Sequence, residues 1–265
     1  SPRCLHGLTA ATAGFILGLA AVVRPNALLV APLFLLWLLL LHRPAYRQAL
    51  RPLLVAVAGL ALAILPVALR NATVGHDRVL ISANAGVNLY IGNNPQADGT
   101  FMDGLPDLAE FGNCFAYVHI IRQLEALLGH PLKYSDVDRH FRDKAVNYMN
   151  AHPGRTAALL VRKLGLFWSP REITHNSVVE FDRRFSLLRF LPGHFALIAV
   201  LALAGVLVLA RLGELRWTTP TGPALTLILL FIAGYAGSFL PFFIASLYRI
   251  PITPLLILLA AGGLA

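Results

Sequence analysis

Long apolar runs decide what this chain can fold into. Leu8–Val23, Ala27–Leu41, about Leu53–Leu69, about Phe195–Leu212, about Ala224–Phe243 and the stretch from about Ile250 to the last residue contain no Asp, Glu, Lys or His. The length of such runs approaches the roughly 20 residues that cross a bilayer core as a helix. In lipid a helix satisfies its own backbone polar groups, and an open strand does not. Overall 57% of the chain is hydrophobic and 13% is charged, whereas soluble domains carry roughly 25% charged residues. We expect an α-helical polytopic membrane protein with about six transmembrane helices and a mainly helical extracytoplasmic segment. Three parts follow: helices one to three in residues 1–69, the hydrophilic segment in 70–191, and helices four to six in 192–265.

The charge distribution sets the orientation. The formal net charge is +9, yet of the 13 acidic residues only Glu214 lies outside Asp77–Asp182. That segment is close to neutral. The excess of positive charge sits in short pieces between apolar runs, at Arg43, Arg47 and Arg51 and again at Arg211 and Arg216. This is a positive-inside pattern, which places those pieces in the cytoplasm. A nucleic-acid surface would cluster its basic residues on one soluble face, so we expect no nucleic-acid partner. Arg24-Pro25-Asn26, the whole Arg70–Leu191 segment and Tyr248-Arg249 then share the opposite side. Cys4 and Cys114 fall on opposite sides and should not pair, and no CxxC metal signature occurs. The chain starts at Ser1 with no signal-peptide pattern ahead of its first run and ends inside an apolar run. We therefore expect a portion of a longer polytopic protein.

The hydrophilic segment divides into recognisable pieces. Val79–Ser82 reads as a short strand. Asn84–Gly99 is rich in Asn, Gly and Pro, which form turns; it is either a working surface beside the membrane or a solvated connector. Ser135-x-x-Asp138 resembles a capping box opening a helix to about Asn150. His152-Pro153-Gly154 breaks that helix. The following Thr156–Trp168 is amphipathic, carries Arg162 and Lys163, and reads as a helix lying at the membrane interface.

Several chemistries are disfavoured. Ion-coupled transport normally needs ionisable residues at membrane depth, and the runs lack them. No channel filter motif occurs. His119, His130, His140, His152 and His175 lack metal-ligand spacing. Asp98, Asp103, Asp107 and Glu110 are candidates for general-base or metal work, or are solvated loop charges. Asn71-Ala72-Thr73 matches a glycosylation sequon placed against an apolar run. Arg24 and Arg249 each sit at a proline-marked helix boundary. Each can hold a phosphate through charge-assisted bonds, or anchor a helix end by snorkelling.

At this point the sequence resembles a known family. RNATVGHDRVLISANAGVNLYIGNNPQADGTF (Arg70–Phe101) is similar to the stretch following a membrane helix in bacterial family 39-like glycosyltransferases of the GT-C class, relatives of the lipid A aminoarabinose transferase and protein O-mannosyltransferases. GLAAVVRPNALLVAP (Gly18–Pro32) resembles that family's short paired helices. RKLGLFWSPREITHN (Arg162–Asn176) with FDRRFSLLRFLP resembles the segment re-entering the membrane, and SLYRIPITPLLILLAA (Ser246–Ala261) the closing helix. The order matches over most of the chain.

The resemblance implies a transferase in the bacterial inner membrane. It would move a sugar from a polyprenyl-phosphate donor to a glycan, lipid or protein acceptor at the periplasmic face, with inversion at the anomeric carbon. It implies a catalytic acidic residue in a loop upstream of Ser1, so this portion alone would not catalyse, and the catalytic residue stays unknown here. A divalent metal at that acid is compatible with the resemblance; no other cofactor or metal site is implied. Arg249 with Tyr248, and Arg24 as a second candidate, are expected at the donor phosphate. Asn88, Tyr90, Asn93 and Asn94 are expected to line the loop above and hydrogen-bond sugar hydroxyls. Two other readings stand beside this one. An O-antigen ligase or polymerase-like enzyme would use Arg183-Arg184; a non-catalytic membrane scaffold or lipid-handling protein would keep the helices without the acid.

Overall fold

The computed structural model describes residues 2–41, 46–101, 105, 117–174 and 195–263. Among them every regular element is helical, apart from isolated bridge positions, which include a parallel bridge between Thr100 and Ile244. The helices are α1 (Pro2–Val23), α2 (Ala27–Leu41), α3 (Tyr46–Thr73), α4 (Ala85–Gly92), α5 (Tyr117–Leu128), α6 (Tyr134–Ala151), α7 (Pro153–Trp168), α8 (Phe195–Arg211), α9 (Gly222–Gly237) and α10 (Thr253–Gly262), with a 3-10 turn at Ser246–Arg249.

The chain divides into two units, Ser1–Ser82 with Leu215–Ser238 and Ala83–Glu214 with Phe239–Ala265. This grouping cuts across the three consecutive parts expected from hydropathy, because α9 joins the first unit and α8 and α10 the second.

In the first unit α1 lies along α3. The approach is close because small residues face each other. A Cβ on Gly14 would collide with the Ala56 carbonyl oxygen, and one on Gly59 with the Ala11 carbonyl. Small residues let membrane-type helices pack through their backbones. Arg24-Pro25-Asn26 makes the turn into α2, with the amides of Ala27 and Leu28 donating to the carbonyls of Arg24 and Pro25 at 2.9 and 3.0 Å. α2 packs on α9, where Trp37 Nε1 donates to the Pro223 carbonyl at 2.8 Å. The opposite face of α3 is apolar and exposed, at Leu54, Val57, Leu62, Leu65 and Leu69.

The apolar runs become helices, with altered bounds. α3 outgrows the expected Leu53–Leu69 and contains Pro52 and Pro66; its Leu50–Thr73 is the one described helix long and apolar enough to cross a membrane by length and composition. The apolar stretches of the other apolar helices, such as Gly7–Val23 within α1, span 10–17 residues. The fifth run was expected to be helical to Phe243, but α9 stops at Gly237. Pro241 explains this: it has no amide to continue the ladder and disfavours the helical region for the residue before it. Phe243–Ala245 is then extended, with the Ile244 amide donating to Gly99 at 2.9 Å. Val79–Ser82 forms no strand. Asn71 Nδ2 donates to the Val79 and Ile81 carbonyls at 3.1 and 3.3 Å. The amide of the sequon asparagine is therefore engaged in holding this turn.

In the second unit α4 packs against α6. Val87, Tyr90, Ile91, Ile120, Leu124, Val137, Phe141 and Phe243 form its core. α8 packs along α10 through Gly205, where a Cβ would collide with the Leu259 carbonyl.

Candidate functional site

The site is built on the corner after α4. Helix α4 has no cap of its own at Asn84; instead Asp138 Oδ1 accepts from the Gly86 amide at 2.6 Å. Asp138 thus caps α4 from α6. Helix α6 begins at Tyr134, one residue before the expected start, and Asp136 accepts from the Lys133 amide at 3.1 Å. This replaces the Ser135/Asp138 box, because the carboxylate three residues after Lys133 is the one in reach of that amide. Tyr90 is buried against Phe141, with ring centroids 5.7 Å apart, and Lys144 lies over its ring.

Asn93 and Asn94 end α4, and both are buried. Asn94 Nδ2 donates to the carbonyls of Tyr90 and Ile91, and its Oδ1 accepts from the Gln96 amide at 2.8 Å. Asn93 Nδ2 donates to the carbonyls of Leu89 at 2.8 Å and Pro241 at 2.6 Å. These amides satisfy orphan carbonyls at a helix end. The geometry gives both side chains structural work where sugar contacts were expected. Asn88 is half-buried. Gly92 is required here, because a Cβ would strike the Phe242 carbonyl. The α4 corner and the Pro241–Phe243 stretch are thereby locked together.

Helix α7 closes the other side. Its inward stripe is Leu159, Lys163 and Phe167, four residues apart and so on one face. Lys163 is completely enclosed, at 0% exposure, and Nζ donates to Asn93 Oδ1 at 3.2 Å. Burial holds its ammonium down to about 8, since a low dielectric disfavours the charged form. Arg162, beside it, is exposed, as are the apolar Val161 and Leu164. That outward face mixes a basic side chain with apolar ones, whereas Lys163 belongs to the interior.

Arg249 sits where the 3-10 turn meets the end of α7. It is 3% exposed, and Nη2 donates to the carbonyls of Leu166 at 2.9 Å and Arg171 at 3.1 Å. Leu166 is in the last turn of α7, so the guanidinium also complements the negative end of that helix. Its plane lies 4.8 Å over the Phe195 ring, a favourable cation–π placement. Nε and Nη1 are buried without a partner among the described residues. Burial lowers the affinity of Arg249 for its proton, partly offset by Glu172; a guanidinium stays charged regardless. Tyr248 is half-buried, its ring stacked on Phe239 at 4.2 Å. The turn is pinned by the Ser246 amide donating to the Ile173 carbonyl at 3.0 Å and the Ile173 amide to Ser246 Oγ at 2.6 Å.

Arg24 belongs to the first unit and Arg249 to the second. Arg24 is half-buried and faces the Tyr235 hydroxyl of α9. Asp98 is exposed. Burial raises its carboxyl, but bonds from the Thr100 hydroxyl and amide, with Arg162 nearby, outweigh this and leave it below the usual range. Such a carboxylate is a weak base. Asp103, Asp107, Glu110, His175, Arg183 and Arg184 lie outside the described residues. Among the described residues no three of His, Cys, Asp and Glu cluster as metal ligands would.

The arrangement can bind an anion. Among the described residues Arg249 has two donors without a partner in a buried setting, where charge-assisted bonds are strong. The sequence reading singled out Arg249 and read Lys163 only as part of an interfacial helix, whereas both are buried. The available signal was the spacing, since Lys163 falls four residues from both Leu159 and Phe167. Comparison with known protein families, curated proteins and solved structures finds no match to this chain.

Proposed function

We propose that this chain belongs to a multi-pass membrane glycosyltransferase of the GT-C class, in which Arg249 holds the phosphate of a polyprenyl-phosphate sugar donor at the periplasmic face of a bacterial inner membrane. The observation that carries the reading is the buried Arg249, with Nε and Nη1 unpartnered among the described residues. An enclosed guanidinium with two donors unbonded, and Glu172 acting on it only through space, is costly, and a phosphate would relieve it. Support for the membrane setting comes from the apolar helices and the exposed apolar face of α3. The sugar and the donor lipid come from the sequence resemblance described above.

In this reading an acceptor hydroxyl attacks the anomeric carbon and polyprenyl phosphate leaves. Arg249 stabilises the charge that grows on the leaving phosphate, which is where fixed positive charge lowers a barrier. Tyr248 braces the turn that aims it. The base that takes the acceptor proton is not assigned among these residues.

Arg249→Ala in the full protein, assayed in membranes for sugar transfer from a polyprenyl-phosphate donor, is expected to lose activity with expression intact. Because Arg249 also caps α7, thermal stability is measured beside activity, and Arg249→Lys is included to keep the charge. Full activity in Arg249→Ala would sink the phosphate role.

A further inference from the structure

Among the described residues, Lys163 and Arg249 are the only buried cations. Both belong to the second unit and both bear on α7. Arg249 is anchored on the Leu166 carbonyl, three residues along from Lys163, a rise of about 5 Å on a helix. Neither has a carboxylate within ion-pair distance among the described residues. The bond from Lys163 goes to a neutral amide, and Asn93 is itself tied to Leu89 and Pro241.

We propose that Lys163 is the proton-linked second cation of the Arg249 anion site: an anion arriving at Arg249 is accompanied by a proton held at Lys163. The inference rests on the anion role of Arg249 proposed above, but not on the transferase reaction. Burial alone depresses Lys163, and an anion held at Arg249 in the same unit favours the charged ammonium, so Lys163 keeps its proton to higher pH. Linkage is reciprocal, so the proton on Lys163 must tighten the anion by the same factor.

The groups around Lys163 leave it free to respond. On α7, Arg155 is exposed and bonded to the carbonyls of Pro95 and Ala97, and Arg162 is exposed. On the facing corner, Asp98 is exposed and held by Thr100. Helix α4 brings only Tyr90, covered by Lys144 from α6, and the Phe239–Ala245 stretch brings no titratable group. Glu172 acts on Arg249 through space. The ammonium of Lys163 departs from its ordinary value through burial alone, so a nearby change of charge is felt directly.

The test titrates the full chain in detergent with a short-chain prenyl phosphate between pH 7.5 and 9.5. That monoester is a dianion throughout, since its second ionisation lies near ~6. Wild-type affinity is expected to fall at least tenfold across the range, since even a single charge pair roughly 10 Å apart at an effective dielectric of about 20 supplies that much and the probe carries two charges. Lys163→Met should bind weakly at every pH with no such fall. Asn93→Asp, which gives Lys163 a carboxylate partner, should move the fall to higher pH, and it carries the test if the Met variant fails to fold. Arg249→Met should not bind. An equal pH dependence in wild type and Lys163→Met, or no binding by wild type at any pH, overturns the inference. Linked binding in a protein that transfers no sugar would instead remove the transferase reading and leave the anion site standing.

Discussion

Replacing Lys163 by Met should make the protein more stable at pH 7 and less stable at pH 10.5. The reversal follows from where the proton sits. Lys163 is fully enclosed and its ammonium is depressed from 10.5 to about 8. Keeping it protonated at pH 7 therefore costs the fold about 3 kcal/mol, at about 1.4 kcal/mol per tenfold. The unfolded chain binds the extra proton between pH 8 and the ordinary lysine value, so wild-type stability rises with pH across that window and is flat below it. Met has similar length and no charge. It removes the penalty but leaves Asn93 Oδ1 without the Lys163 donor, a loss of about 1–3 kcal/mol. The variant should gain up to about 2 kcal/mol at pH 7, then fall below wild type by about 1–3 kcal/mol once Lys163 is neutral in both states. Reversible unfolding in detergent at pH 7, 8, 9 and 10.5 gives the curve. Other lysines and tyrosines titrate alike in both proteins and cancel in the difference. A variant-minus-wild-type difference that stays flat from pH 7 to 10.5 would refute the buried-charge argument.

Two further outcomes follow from packing and capping. Gly14→Val should destabilise the first unit by roughly 1–3 kcal/mol or force α1 off α3, because its Cβ would enter the Ala56 carbonyl; cross-linking between cysteines placed on α1 and α3 would report the separation, and unchanged cross-linking and melting would count against the packing. Asp138→Ala should cost about 1 kcal/mol through loss of the cap on Gly86, with faster hydrogen exchange confined to Ala85–Gly92; uniform exchange would assign the cap no local role.

The helices were legible because a helix in an apolar setting leaves a length signature. α1, α2, α8 and α10 fall on runs picked for their apolar composition, and α6 was bounded almost to the residue by its polar start and Pro153. The end of α9 was not legible from hydropathy. Phe242, Phe243 and Ile244 are as apolar as the helix before them, and an extended buried strand has the same composition as a helix. Pro241 was the available signal. The Val79–Ser82 strand failed for a different reason: β-branched residues fit strands only where a partner supplies the ladder, and here the Asn71 side chain takes the carbonyls.

The asparagine corner was the hardest part to read, because composition marks Asn as a loop former without saying which way its amide turns. Asn93 and Asn94 turn inward and end α4 through side chain to carbonyl bonds. The Pro241 stretch, about 150 residues away along the chain, supplies the one non-local acceptor, for Asn93. The choice of amide over carboxylate at Asn93 then has a chemical consequence. An aspartate would close an ion pair with Lys163 and fix its charge across the neutral range. An amide accepts the hydrogen bond and contributes no charge, so Lys163 remains able to gain or lose its proton. Arg249 differs in kind: its guanidinium cannot shed its charge, and with Nε and Nη1 buried and unpartnered among the described residues it supplies a standing demand for an anion. A fixed cation bonded to the end of α7 and a titratable one within that helix make the anion affinity of this unit depend on pH, whatever molecule carries the anion.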